Sequence, residues 1–369
     1  MKKIYYGKAV YDNKEISAVL RVLKNDSLTL IDGKKVKELE KKVSQMFGKK
    51  YGLMVNSGSS ANLLALSSFK FKKGSEIITP NLTFSTTVAP IYQLGLIPHF
   101  IGVEENKFLA NPSHIEKCIN KKTVALMIPN LLGNIADWKK INLIAKKYKL
   151  KVIEDCAQAQ GATYKKKKVG NFGITGCFSF YPTKILGAYG DGGFVTTNDR
   201  KIYQKIRRLR FYGMEQINPS KWWNKKYFAV DNGTNSRLSE IQASILNLKL
   251  KYINKYINRR RQIAKMYNNG IKNPNITKPN VNQYNSHVYH LYVVAHKKRN
   301  SILKFMKKNK VFLGIQYPYP LHKMLAYKDS RKKNLRITEK LSNRIFSLPT
   351  YPSIENSKIK KIIKLLNKV

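Results

Sequence analysis

Val152-Ile153-Glu154-Asp155-Cys156-Ala157-Gln158-Ala159 is an apolar run that ends on two carboxylates. A strand that is apolar until its last residues and then turns acidic suits the carboxyl end of an open α/β sheet, where such folds gather their ligand contacts. Outward from it, short apolar runs at Glu76 to Thr79, Leu96 to Ile101, Val124 to Ile128, Lys151 to Glu154, Cys177 to Phe180 and Gly193 to Thr196 alternate with amphipathic stretches. That alternation predicts a mostly parallel sheet covered by helices over about residues 30 to 240. Ile141 to Tyr148 has apolar residues at helical spacing, with Asp137 upstream as N-cap. From Ser236 the pattern becomes one long helical stretch, through Leu238 to Leu248 and on toward Tyr267, with a stop signal at Asn268-Asn269-Gly270. A smaller α+β unit follows, with a strand from His287 to Ala295, helices at Arg299 to Lys308 and Ile337 to Phe346, and an amphipathic helix from Glu355. The chain therefore divides into a large domain, residues 1–240, and a small C-terminal domain, residues 241–369.

A length of 369 residues with 43% hydrophobic content accommodates two packed domains and argues against disorder. The opening Met1 to Lys8 is basic without an apolar core, and no later run approaches the roughly 18 apolar residues of a membrane span, so a soluble cytoplasmic protein is expected. Cys118, Cys156 and Cys177 are odd in number and widely spaced. They suit neither a disulfide framework nor a metal site, and read as reduced core residues. The net charge of +49 invites a nucleic-acid reading. Its make-up weakens that reading, because 57 of the 70 basic residues are lysines spread over nearly every segment, whereas base and phosphate recognition favours arginine. Lys165 to Lys168 reads as a turn and Arg259 to Arg261 as a solvated helix face.

Three kinds of group then come into view. Lys184 lies in Ser179-Phe180-Tyr181-Pro182-Thr183-Lys184-Ile185-Leu186-Gly187, among the least lysine-rich parts of the chain, where partial burial would lower its pKa toward that of a usable amine. Asp155 offers a carboxylate at a strand end, and Asn56-Ser57-Gly58-Ser59-Ser60-Ala61-Asn62 forms a turn that opens into a helix whose free amides could seat a phosphate. An amine for an aldehyde, a carboxylate for a pyridinium nitrogen and donors for a phosphate are what pyridoxal phosphate chemistry requires. Each group alone also has an ordinary role: a surface lysine, a capping aspartate, an N-cap serine. Neither a Walker loop nor a dinucleotide fingerprint is present.

Four motifs in order, Asn56-Ser57-Gly58-Ser59-Ser60-Ala61-Asn62, Glu154-Asp155-Cys156-Ala157-Gln158, Ser179-Phe180 with Lys184, and Gly233-Thr234-Asn235-Ser236-Arg237-Leu238 with Glu240-Ile241-Gln242-Ala243, resemble the DegT/DnrJ/EryC1/StrS sugar aminotransferases over almost the whole chain. The resemblance implies a pyridoxal phosphate-dependent transferase of fold type I, aspartate aminotransferase-like, working as a homodimer with shared active sites. Carried over by motif, Lys184 would bond the cofactor aldehyde and shuttle the proton, and Asp155 would pair with the ring nitrogen. Gln158 would lie on the ring-hydroxyl side and Phe84 would stack on the ring. Gly58, Ser59 and Ser179 would hold the phosphate, with Asn235 reaching in from the other subunit. No metal is implied.

The Asn56 to Leu63 segment is also similar to the sugar 3-dehydrases of the same family, which have histidine where this chain has Lys184. An imidazole cannot form the Schiff base, so the lysine favours transamination from an amino acid, with glutamate the expected donor, to a nucleotide-linked keto-deoxy sugar. Tyr317-Pro318-Tyr319-Pro320-Leu321-His322, Phe211 to Met214 and Ser347 to Pro352 resemble the branch that aminates C3, although Gln316 stands where some members of that branch carry histidine. Tyr317 lies on the substrate side of that resemblance; His322 either contacts substrate or caps the turn after Pro320. A 4-keto sugar aminotransferase, a 3-dehydrase, and a polyanion-binding protein on an inactive aminotransferase fold remain the alternatives.

Overall fold

A computed structural model describes residues 3–25, 33–215, 227–281, 284–332 and 335–369; Met1 and Lys2 of the basic opening lie outside them. The main sheet has eight strands in the spatial order Arg331–Lys332, Ile97–Ile101, Glu76–Pro80, Thr123–Pro129, Lys151–Asp155, Thr175–Ser179, Gly193–Thr197, Tyr51–Val55. All neighbours pair in parallel except Gly193–Thr197, which runs antiparallel to both of its neighbours. The apolar run Tyr51 to Val55, which precedes the serine-rich turn, is thus the strand that closes one edge.

Alternate residues of these strands feed two separate cores. Leu126, Ile128, Val152, Phe178 and Phe194 pack on one face with Val36, Leu39, Phe47 and Trp138. Ala125, Met127, Ile153, Cys177 and Val195 pack on the other with Ala61, Leu64 and Ile206. A strand buried on both faces reads as a continuous apolar run, and each large aliphatic side chain so buried contributes about 1.5–3 kcal/mol. The carboxyl ends of the strands are therefore rigidly fixed. All three cysteines are buried. The helix Trp138–Lys147 starts at Asp137, whose side chain accepts from the Lys140 amide, as the sequence predicts.

A third core lies in the C-terminal part, built from Ile263, Tyr267, Tyr292, Val294, Phe346, Leu348, Ile359 and Ile362. Ile4 belongs to it too, because Ile4–Tyr5 pairs in parallel with Val311–Phe312. The helices Arg299–Lys308 and Asn356–Leu366 fall where expected.

Four expectations differ. The long helical stretch is two helices, Glu240–Leu250, capped by Ser239, and Ile253–Gly270, separated at Lys251 and Tyr252. The bend lets the first stay against helices Asn13–Asn25 and Lys35–Phe47. The second crosses from the large core, through Ile253 and Ile257, to the C-terminal core at Ile263 and Tyr267. The strand expected from His287 covers only Tyr292–Ala295. Before it the backbone lies across another loop, with the Val288 amide donating to the Gly133 carbonyl at 3.0 Å and the Leu291 amide to that of Leu132 at 3.1 Å. The helix expected over 337 to 346 is Arg336–Ser342, after which Ile345–Leu348 is a strand antiparallel to Tyr292–Ala295; pairing with a distant partner overrides local periodicity there. Arg260, finally, is not on a solvated face but buried, at 4% exposure.

Candidate active site

Lys184 sits in the loop between strands Thr175–Ser179 and Gly193–Thr197, on the rim of a cavity of about 400 Å³ at the carboxyl end of the sheet. Gln160 fixes this loop on both flanks of the lysine: its Nε2 donates to the Ser179 carbonyl at 2.7 Å and its Oε1 accepts from the Leu186 amide at 2.7 Å. Burial of the Lys184 amine is the larger influence on it and lowers its pKa to about 8, against the opposing pull of the Asp155 carboxylate. An amine in that range divides between its charged and its nucleophilic forms near neutrality.

Asp155 also lines the cavity. Its Oδ1 accepts from the Ala157 amide at 3.0 Å, and its Oδ2 accepts from Thr87 Oγ1 at 2.8 Å and Asn62 Nδ2 at 3.3 Å. Thr87 Oγ1 is paired in turn with Thr83 Oγ1 at 2.9 Å. The carboxylate is thereby locked in one orientation by residues from the Gly58–Ser67 helix and from the loop after Glu76–Pro80.

The turn that precedes helix Gly58–Ser67 is closed by Ser57, whose Oγ accepts from the Ser60 amide at 3.1 Å. A Cβ on Gly58 would meet the Ser179 Cβ at 2.6 Å, so glycine is what allows the helix start to approach Ser179. Gly58, Ser59 and Ser179 all line the cavity, and the first amides of a helix have no intrahelical acceptor. Phe84, half exposed, presents an aromatic ring to the cavity with Tyr317 stacked at 5.8 Å between centroids. Gln158 bridges the two sides: Oε1 accepts from the Leu132 amide at 2.8 Å, and Nε2 donates to the Tyr317 hydroxyl at 2.7 Å. Since burial pushes the Tyr317 hydroxyl well above its ordinary pKa, it keeps its proton and can donate it into the cavity.

Two expected residues are elsewhere. Asn235 is exposed and does not line the cavity of its own chain; its Oδ1 accepts from Arg237 Nε at 3.0 Å. His322 is buried outside the cavity with both ring nitrogens engaged, Nδ1 with Asn81 Nδ2 at 2.9 Å and Nε2 with Glu339 Oε1 at 2.7 Å. Its ring ties the short 3-10 helix Leu321–Lys323 to Asn81 and Glu339, and that helix has no side-chain cap. Four residues that sequence reasoning did not assign complete the picture. Thr87 and Gln160 act through Asp155 and the lysine loop. Arg260 and His290 line the cavity from the C-terminal side. Arg260 lies in the arginine run and His290 in the segment read as a strand, but nothing in either pattern marks them as facing a cavity.

A sequence model of the DegT/DnrJ/EryC1/StrS aminotransferase family matches residues 10–367. The dTDP-3-amino-3,6-dideoxy-alpha-D-galactopyranose transaminase of Aneurinibacillus thermoaerophilus is 38% identical over 356 residues, covering 96% of this chain and 95% of that protein. The UDP-2-acetamido-2-deoxy-3-oxo-D-glucuronate aminotransferase of Pseudomonas aeruginosa is 33% identical over 350 residues, covering 95% and 94%. Among solved structures, that of S. venezuelae DesV in complex with a ketimine intermediate superposes with a TM-score of 0.90 at 30% identity, covering 96% of this chain and 94% of that one.

Proposed function

The chain belongs to the DegT/DnrJ/EryC1/StrS aminotransferase family, whose members use pyridoxal phosphate, and from that premise we propose that it transfers an amino group from an amino acid, with glutamate as donor, to C3 of a nucleotide-linked keto-deoxy sugar. The single observation that carries the reading is the enclosed Lys184 amine, at a pKa of about 8 and facing the same cavity as Asp155. A dehydrase with histidine at that position would have no such amine. The C3 assignment follows the activities of the two relatives, a 3-amino sugar transaminase and an aminotransferase for a 3-oxo sugar.

The residues present fit the cofactor. The glycine-cleared start of helix Gly58–Ser67 offers unbonded amides to a phosphate, with Ser59 and Ser179 beside it. Asp155, oriented by Thr87 and Asn62, suits the ring nitrogen, the half-exposed Phe84 ring suits a flat face, and Gln158 suits the side carrying the ring hydroxyl. When bound, pyridoxal phosphate would supply an aldehyde able to carry an amino group and an electron-withdrawing ring. Lys184 Nζ would hold the cofactor's aldehyde and, as a free amine, would be the base that takes a proton from the donor carbon and returns one to the acceptor carbon. Tyr317 directs its hydroxyl proton toward a substrate oxygen. Asn235, which lies outside its own cavity, would serve the partner's phosphate site in a homodimer.

Lys184→Ala should fold, bind cofactor without the absorbance of the lysine-linked form, and lose turnover by several orders of magnitude. Mass spectrometry of products from a panel of dTDP- and UDP-linked 3-keto and 4-keto sugars, with glutamate as donor, tests the substrate. Amination of 4-keto sugars alone would overturn the C3 assignment, and retained transamination in Lys184→Ala would overturn the role of the lysine.

A further inference from the structure

Two basic side chains on the C-terminal wall of the cavity have no use in the scheme above. Arg260 is 4% exposed; its Nη1 donates to the carbonyls of Thr350 at 2.7 Å, His290 at 3.0 Å and Tyr289 at 3.2 Å, while its Nε is buried without a partner. Burial alone draws its pKa down to about 10, with no carboxylate acting in the opposite sense. His290 is 7% exposed, and its Nδ1 is likewise buried and unpartnered. Burial first, then the charges of Lys184 and Arg260, hold His290 well below the usual histidine pKa, so its ring is neutral and offers a single N–H. Both residues line the cavity that holds Lys184. The cavity's own carboxylates do not satisfy them: Asp155 is engaged by Ala157, Asn62 and Thr87, and Asp191 is exposed to solvent.

A desolvated guanidinium without a counter-ion among the described residues is costly to keep, and a fork of N–H donors beside a neutral imidazole is shaped for a carboxylate. We propose that Arg260 and His290 form the receptor for the carboxylate of the amino-acid donor. The inference rests on the aminotransferase reading and adds to it the place of the first substrate. An amino acid carries its carboxylate one bond from the carbon that must meet Lys184, and His290 is close enough to Lys184 to feel its charge. The other anion of the reaction, the diphosphate of a nucleotide sugar, leaves from C1 and so stands two carbons away from an amination at C3. The phosphate of the cofactor would have its own seat at the start of helix Gly58–Ser67. Arg260 also ties together the segments at 289–290 and 350, so the receptor is held rigidly even when empty.

The test uses cofactor-loaded protein, wild type against Arg260→Lys and His290→Asn. Succinate, a carboxylate that cannot react, is titrated calorimetrically, and KM is measured separately for glutamate and for the keto sugar. Each variant should bind succinate about tenfold or more weakly and raise KM for glutamate to match, the order expected for one charge-assisted hydrogen bond. The absorbance of bound cofactor and KM for the sugar should stay within about twofold, which a merely structural role would not separate. Should Arg260→Lys fail to fold, His290→Asn decides. Unchanged succinate binding and glutamate KM in the folded variants, or a wild type that consumes glutamate yet binds no succinate, would overturn the inference. A wild type whose cofactor absorbance no amino acid alters would instead overturn the aminotransferase reading beneath it.

Discussion

Burial moves the Lys184 amine from the ordinary 10.5 to about 8, so that at pH 8 roughly half of it is neutral where an exposed lysine would be neutral by less than about 1%. The neutral form is the nucleophile, so reactivity rises with pH and saturates above the folded pKa. In cofactor-free protein, labelling of Lys184 by an amine-reactive reagent, read by peptide mass spectrometry, should climb about fiftyfold from pH 6 to pH 8 and then level off. A profile still climbing at pH 10 would show the amine to be solvated. The same shift has a sign for stability: between about 8 and 10.5 the unfolded chain binds more protons at this lysine than the folded one, so its contribution to stability grows as pH rises through that window. The sequence made the amine visible by its lysine-poor surroundings. It could not show Arg260, because in Arg259-Arg260-Arg261 three like residues differ only in where the helix turns them, and that depends on which core the helix crosses.

Helix Gly58–Ser67 illustrates how an element carries the site. Its start can approach strand Thr175–Ser179 only because Gly58 has no side chain, the Cβ of any other residue meeting Ser179 at 2.6 Å. Gly58→Ala should therefore push the helix start aside, costing about 1–3 kcal/mol in a urea melt and weakening cofactor affinity in a fluorescence titration. Unaltered affinity would mean that the first-turn amides do not seat the phosphate. The six expected strands of the main sheet were legible to within one or two residues, because burial on both faces writes each as an apolar run, whereas the exposed edge pair Arg331–Lys332 has no such signal. The C-terminal unit was less so. His287 to Leu291 reads as a strand by composition, yet Tyr289 has φ of 47° and the segment is bound crosswise to Leu132 and Gly133. Ile345–Leu348 owes its extended form to Tyr292–Ala295, some fifty residues back in the chain, a pairing that no local window contains. The stop after Leu250 likewise has no glycine or proline to mark it.

On the scale of the molecule, the helix Asn13–Asn25 turns Ile16, Leu20 and Leu23 outward at half exposure, with Tyr11 beside them. Apolar residues at helical spacing on an open face fit the proposed homodimer, whose second subunit would cover them. Leu20→Glu should shift the protein toward monomer in sedimentation experiments and lower activity in parallel; a monomeric wild type with full activity would exclude sharing of Asn235 between subunits. Among the described residues no helix is long and apolar enough to cross a membrane. The strand Ile4–Tyr5 is held against Val311–Phe312, and the three residues after it, Tyr6, Gly7 and Lys8, line the cavity that holds Lys184. An affinity tag or fusion partner spliced just ahead of Ile4 would therefore pull on a segment that runs straight into the cavity wall, and kinetic constants measured on such a protein would report the handle as well as the enzyme.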